Sequence, residues 1–176
     1  MEIFLEFAEA LGAVGRAEKE ELEGRCGRAL GELAGRQAKY QAARDPAVRF
    51  VALLQAALAG GQAHVADRQG KVPAEAVAWG WQRPKSGRRW MSQGTRIGWV
   101  AGNDLYLDPL ASYQTAQALA GEERLPVSEQ ALRHQLRQCG LLASMDAGRG
   151  MLQVRRTLAG RPRQVLHLRA SDLRGS

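Results

Sequence analysis

A chain of 176 residues, 45% of them apolar, has enough hydrophobic surface for one globular domain with a helical extension, and no apolar run approaches the ~20 residues of a membrane span. The acidic start does not read as a signal peptide, and Cys26 and Cys139, far apart and without metal-ligand spacing, suit a reducing cytoplasm better than a secreted disulfide scaffold. The net charge of +7 is unevenly spread: the first 45 residues carry −2 and the remainder +9, with seven arginines against Asp172 alone from residue 147 onward. Such polarity is the footprint of a polyanion-binding surface.

Residues 2–43 have helical texture, without proline, and with Leu22, Cys26, Ala29, Leu30 and Leu33 at spacings of three and four. A break near Gly12–Gly15 divides them into two helices, whose glycines permit close helix–helix approach. Their expected partner is another chain or a further domain. Asp45-Pro46 restarts the chain as a helix, with Asp as N-cap and Pro at the first helical position, and Gly60-Gly61 ends it. Ala63–Ala66 reads as a short strand and Pro73–Val77 as a helical turn, before a loop-rich segment holding Trp79, Trp81, Pro84 and Trp90.

Arg96–Val100 and Asp104–Leu107, joined at Gly102-Asn103, form a predicted hairpin. Asp108-Pro109 repeats the helix-start signature and opens a helix to Ala120, with Leu110, Tyr113, Ala116, Leu119 and Ala120 on its apolar side. Ser128 caps a second helix that runs to Cys139, with Gly140 as its C-terminal stop. That helix should bury Leu132, Leu136 and Cys139 and present Gln130, Arg133, His134 and Arg137 to solvent. The last segment alternates as a hairpin. Ala159–Arg163 is its basic turn, with Arg161 and Arg163 at the tip and Arg155 and Arg169 sharing the solvated face.

The predicted fold is therefore α+β and mainly helical. Residues 1–45 are a helical extension, and residues 46–176 a winged helix-turn-helix domain with a C-terminal β-hairpin wing and an inserted Trp-rich loop and hairpin over 62–107. Guanidinium and amide groups on one helix face suit major-groove readout, because arginine forks onto guanine and glutamine onto adenine while neighbours hold phosphate. Trp81 and Trp90 stand among Arg83, Lys85, Arg88, Arg89 and Arg96, and an aromatic ring beside guanidinium groups can stack an unpaired base. Arg88, Arg89 and Trp90 therefore join the candidate contacts. Trp79 and Trp99 read as core.

Chemistry is not evident. No glycine-rich run ends in Lys-Ser/Thr to cradle a phosphate, His64, His134 and His167 are scattered, and no paired carboxylates stand out, so neither catalysis nor a cofactor nor a metal is expected. His167, alternating with leucines, reads as structural or phosphate-facing.

The string Arg96-Ile-Gly-Trp-Val-x-Gly-Asn-Asp-Leu-Tyr-Leu-Asp-Pro, then Leu141-Leu142-Ala-Ser, then Val154-Arg155-Arg156-Thr and Val165-Leu166-His167-Leu168, resembles the C-terminal end of phage- and mobile-element-type primase–helicase ATPases. The likeness runs from about Ala47 to Leu173. It implies a winged-helix tail without its nucleoside-triphosphatase core, engaged with duplex or forked DNA in replication. Residues 1–45 would then be a remnant of the core's helical lid or a linker. The resemblance carries over no catalytic residue. Two other functions fit the residues: a protein-interaction module that self-associates through residues 1–45 or docks on an ATPase core, and a stand-alone transcription regulator.

Overall fold

The computed structural model describes residues 7, 11–13, 15–84, 89–146, 148 and 150–174, with backbone alone at 19, 23 and 34–44. It is α+β, about 43% helix and 26% strand, and it divides into two compact units, Met1–Arg44 and Asp45–Ser176.

In the first unit the chain turns at Leu11–Ala13, with Gly12 at φ +69°, and then enters one unbroken 29-residue helix, α1 (Arg16–Arg44). The break expected at Gly12–Gly15 is thus present, whereas the helix expected before it lies, apart from Phe7, outside the described residues. Leu22 and Cys26 are half-buried, and Leu30 and Leu33 are 57% and 59% exposed. The apolar row read from the sequence is left largely uncovered. Among the described residues no helix is long and apolar enough to cross a membrane.

The second unit starts at the Asp-Pro signal. Asp45 accepts a hydrogen bond from the Ala47 amide at 2.8 Å and caps α2 (Pro46–Ala59), which buries Ala47, Phe50, Leu54, Ala57 and Leu58. A mixed sheet follows, in the order β1-β4-β5-β7-β6. β1 (Ala63–Asp67) runs parallel to β4 (Thr95–Ala101), and the crossover between them fills the segment expected to be loop-rich. It holds a 3₁₀ turn at Ala76–Trp79 and a two-stranded ribbon of β2 (Trp81–Gln82) and β3 (Met91–Ser92).

β4 and β5 (Asp104–Leu107) form the predicted hairpin. Asp108 then caps α3 (Pro109–Ala120) by accepting from the Ala111 amide at 3.0 Å. Its buried face is Pro109, Ser112 and Ala116, so Leu110, expected on the apolar side, lies 58% exposed. Ser112 tolerates burial because its hydroxyl donates to the Asp108 carbonyl at 2.6 Å.

The link to α4 (Glu129–Gln138) is fastened by Gln117. Its side-chain oxygen accepts from the Leu125 amide at 3.0 Å, and its amide nitrogen donates to the Tyr113 hydroxyl at 2.7 Å; that hydroxyl in turn donates to the Val127 carbonyl at 2.7 Å. Ser128 caps α4 and Gly140, at φ +68°, follows its last turn, as expected. Leu132 and Leu136 are buried, but Cys139 is exposed: it sits past the last helical turn, its thiol 3.2 Å from an Asp45 carboxylate oxygen. Partial loss of hydration at the thiol and that neighbouring carboxylate push its pKa up.

β6 (Val154–Leu158) and β7 (Arg161–Arg169) close the sheet, with β7 between β5 and β6. The short helix α5 (Ala170–Arg174), which the sequence reading lacked, buries Ala170 and Leu173. The register divides the sheet into two faces. Val65, Leu105, Leu107, Leu166 and Leu168, all at most 2% exposed, line an aliphatic face, and α2 and α3 pack against β1 and β4. His64, Arg96, Trp99, Tyr106, His167 and Arg163 belong to the other face.

Candidate nucleic-acid interface

α4 presents Gln130, His134 and Arg137, all exposed, at spacings that align them along one side of the helix. Arg133 departs from the sequence reading. It is half-buried, and its Nε donates to Glu129 Oε1 at 2.7 Å while a second guanidinium nitrogen meets the other carboxylate oxygen. An i, i+4 carboxylate of this kind occupies the fork that a guanine would otherwise take. Three of the four expected residues therefore share the open side.

The basic hairpin is shifted from its expected frame. Ala159 and Gly160 both have positive φ, +50° and +75°, which makes a two-residue turn whose twist matches the strands. Arg161 and Arg163 consequently lie inside β7, opposite Leu158 and Arg156, rather than at the tip. The tip is anchored elsewhere, because the Ala159 amide donates to the Arg68 carbonyl at 2.9 Å. Arg155 and Arg169 are both exposed but do not share a face: Arg155 pairs with Gln164, an even position of β7, and Arg169 is odd.

The second sheet face carries an arrangement the sequence reading missed. The guanidinium carbons of Arg96 and Arg163 stand 4.9 and 4.8 Å from the centroid of the Trp99 ring, and that of Arg156 stands 5.9 Å from the Tyr106 ring. Each contact is worth about 0.5–2 kcal/mol, depending on desolvation. Trp99 is 1% exposed, so its ring floors this cluster and is not open to a base.

Tyr106 also stacks on His167, whose ring is held at both nitrogens: Ser144 Oγ lies 2.6 Å from Nδ1 and Asp104 Oδ1 lies 3.0 Å from Nε2. A neutral ring satisfies both contacts, donating from Nε2 to Asp104 and accepting the Ser144 hydroxyl proton. Ser144 also bridges His167 through the backbone, so the triplet ties the 141–146 segment and β5 to β7. His167 is in this sense structural.

In the Trp-rich segment, Trp81 is buried, with its Nε1 donating to the Val65 carbonyl at 2.7 Å, which withdraws it from ligand contact. It also meets the His64 ring edge-on. Burial holds the His64 pKa below its ordinary value, and Arg96 pushes the same way against the backbone acceptors at Gln93 and Gly94. Trp90 is half-buried against the core, Arg89 is exposed, and Arg88 lies outside the described residues.

No family model, curated protein or solved structure matches the chain. The site therefore rests on its own geometry. It presents Gln130, His134 and Arg137 on the open side of α4 and a cluster of arginines on the sheet face of Trp99.

Proposed function

We propose that residues 46–176 form a winged-helix domain that binds DNA without catalysing a reaction. The observation that carries this reading is the order α3, a link over residues 121–128, α4, then a β-hairpin that returns to pair with β5, with Gln130, His134 and Arg137 on the open side of α4. The helix would enter the major groove, and the arginines of the hairpin would hold phosphate. The sequence likeness noted above supports a place beside, or at the C-terminal end of, a mobile-element replication helicase or primase.

The test compares duplex, forked and single-stranded DNA at two salt concentrations. With roughly five phosphates contacted, duplex affinity should fall about 500-fold between 50 and 200 mM salt. Absence of binding at 50 mM overturns the reading.

A second reading, self-association through the first unit, is favoured by the exposure of Leu30 and Leu33 on α1. Light scattering decides it. A dimer supports this role, and a monomer at all concentrations removes it.

A further inference from the structure

We propose that α1 pairs with α1 of a second copy of this chain in an antiparallel arrangement, held by a short apolar seam and oriented by the charges along one edge of it. The proposal rests on the self-association reading above and adds to it the orientation and register of the pair.

α1 is unbroken over 29 residues although glycines occupy positions 24, 27, 31 and 35, each of which penalises a helix. A helix of this composition takes most of its stability from packing an apolar side. Leu22, Cys26, Ala29 and Leu33 supply one: at about 3.6 residues per turn they fall within about 60° of arc, with the four-three-four spacing of a two-helix seam. Ala29 and Leu33 are exposed, and Leu22 and Cys26 are only half-buried, so the row is open to a partner. An antiparallel pair about a two-fold axis between positions 27 and 28 sets Leu22 against Leu33 of the second copy and Cys26 against its Ala29. Each meeting occurs twice. A parallel pair would stack residues of the same sizes, so the apolar row does not choose an orientation.

The flanking charges choose. Positions 18, 25, 32 and 39 lie one heptad apart on one edge of the seam and read Glu, Arg, Glu and Lys. Charged positions beside a seam set partner and orientation through ion pairs between helices. In the antiparallel pair that edge meets itself, 18 opposite 39 and 25 opposite 32, so every meeting joins an acid to a base. In a parallel pair it meets the other edge instead, at positions 23, 30, 37 and 44, which read Glu, Leu, Gln and Arg. Two of those meetings oppose like charges, and none joins unlike ones. Positions 19 and 36, both basic, bound the row in either orientation and keep the seam short. Charge complementarity therefore names the occupant of the row as a second copy, reversed.

Sedimentation equilibrium of the full chain tests the pattern, with Arg25→Glu and Glu32→Arg measured separately and mixed at about 0.15 M salt. Each substitution alone turns two opposite-charge meetings into like-charge ones and should weaken association about tenfold. The equimolar mixture should return to within about threefold of the original, because a mixed pair restores acid against base at both places. Loss of helix in the variants cannot imitate that result, since mixing two weakened helices would not restore pairing. Association unchanged by either substitution overturns the proposal and leaves self-association standing, as does a mixture no stronger than the single variants. An original chain that is monomeric at all concentrations overturns both. The distance between spin labels gives the orientation directly. A nitroxide at Ala17→Cys, with Cys26→Ala and Cys139→Ser, should lie about 30 Å or more from its counterpart, whereas a parallel pair brings the two within about 20 Å and overturns the proposal. Where Cys26→Ala itself prevents pairing, the mixture decides.

Discussion

Gly80→Ala is expected to lower the stability of the second unit by about 3 kcal/mol or more, a shift of melting temperature on the order of 10 °C. Gly80 ends the 3₁₀ turn at φ +76°, a conformation that costs an alanine about 1–2 kcal/mol by itself. A Cβ there would also stand 2.1 Å from the Ala63 carbonyl oxygen, in the backbone of β1. Neither group is the flexible end of a side chain, so the strand must move away from the turn. Gly102→Ala is the control. Gly102 also has positive φ, +61°, but an added Cβ meets nothing within 4 Å, so only the backbone cost of about 1–2 kcal/mol applies. Thermal melts of both variants check the difference. Equal losses would mean that close packing of the crossover against β1 contributes nothing.

The second large effect concerns α4. Arg137→Ala with Gln130→Ala should reduce discrimination between a preferred duplex and a random one by about 1–3 kcal/mol for each side chain that no longer reaches a base edge, tenfold or more in the affinity ratio. Arg133→Ala should change that ratio little, because Glu129 already holds its guanidinium. Glu129→Gln, which weakens that hold, should strengthen binding to all duplexes. Competition binding with two duplexes measures each ratio. A large loss of discrimination in Arg133→Ala alone would place base reading one turn away from Gln130 and Arg137.

What could be read from the sequence followed from local chemistry. Asp45-Pro46, Asp108-Pro109 and Ser128 set helix starts through bonds to amides two or three residues on, so the boundaries of α2, α3 and α4 were legible. The Gly102-Asn103 and Ala159-Gly160 hairpins were legible in outline for the same reason. Parallel pairing of β1 with β4 has no local turn to announce it, and the intervening residues read as a helical turn at Pro73–Val77 followed by loop. Placement of the basic residues failed where it depended on register. Once the turn tightened to Ala159-Gly160, Arg161 and Arg163 moved into the strand and Arg155 parted from Arg169.

Arg96 and Arg156 were visible as charges but not as a cluster. Their meeting over Trp99 and Tyr106 requires the order β4-β5-β7-β6 to be known. Leu110 and Cys139 erred for a simpler reason: an apolar residue near a helix end matches the helical spacing without being on the buried side. Arg133 was misread because an exposed-face position says nothing of a carboxylate one turn earlier. Glu129 was the available signal, four residues upstream in an orientation that favours pairing.

A salt titration of duplex affinity most directly tests the proposal that the open side of α4 and the arginines of the β6–β7 hairpin bind the DNA backbone. Measured by anisotropy from 50 to 200 mM salt, log affinity should fall linearly against log salt with a slope near −4.5, as about five neutralised phosphates require. A flat line, or no duplex binding at the lowest salt, would contradict it.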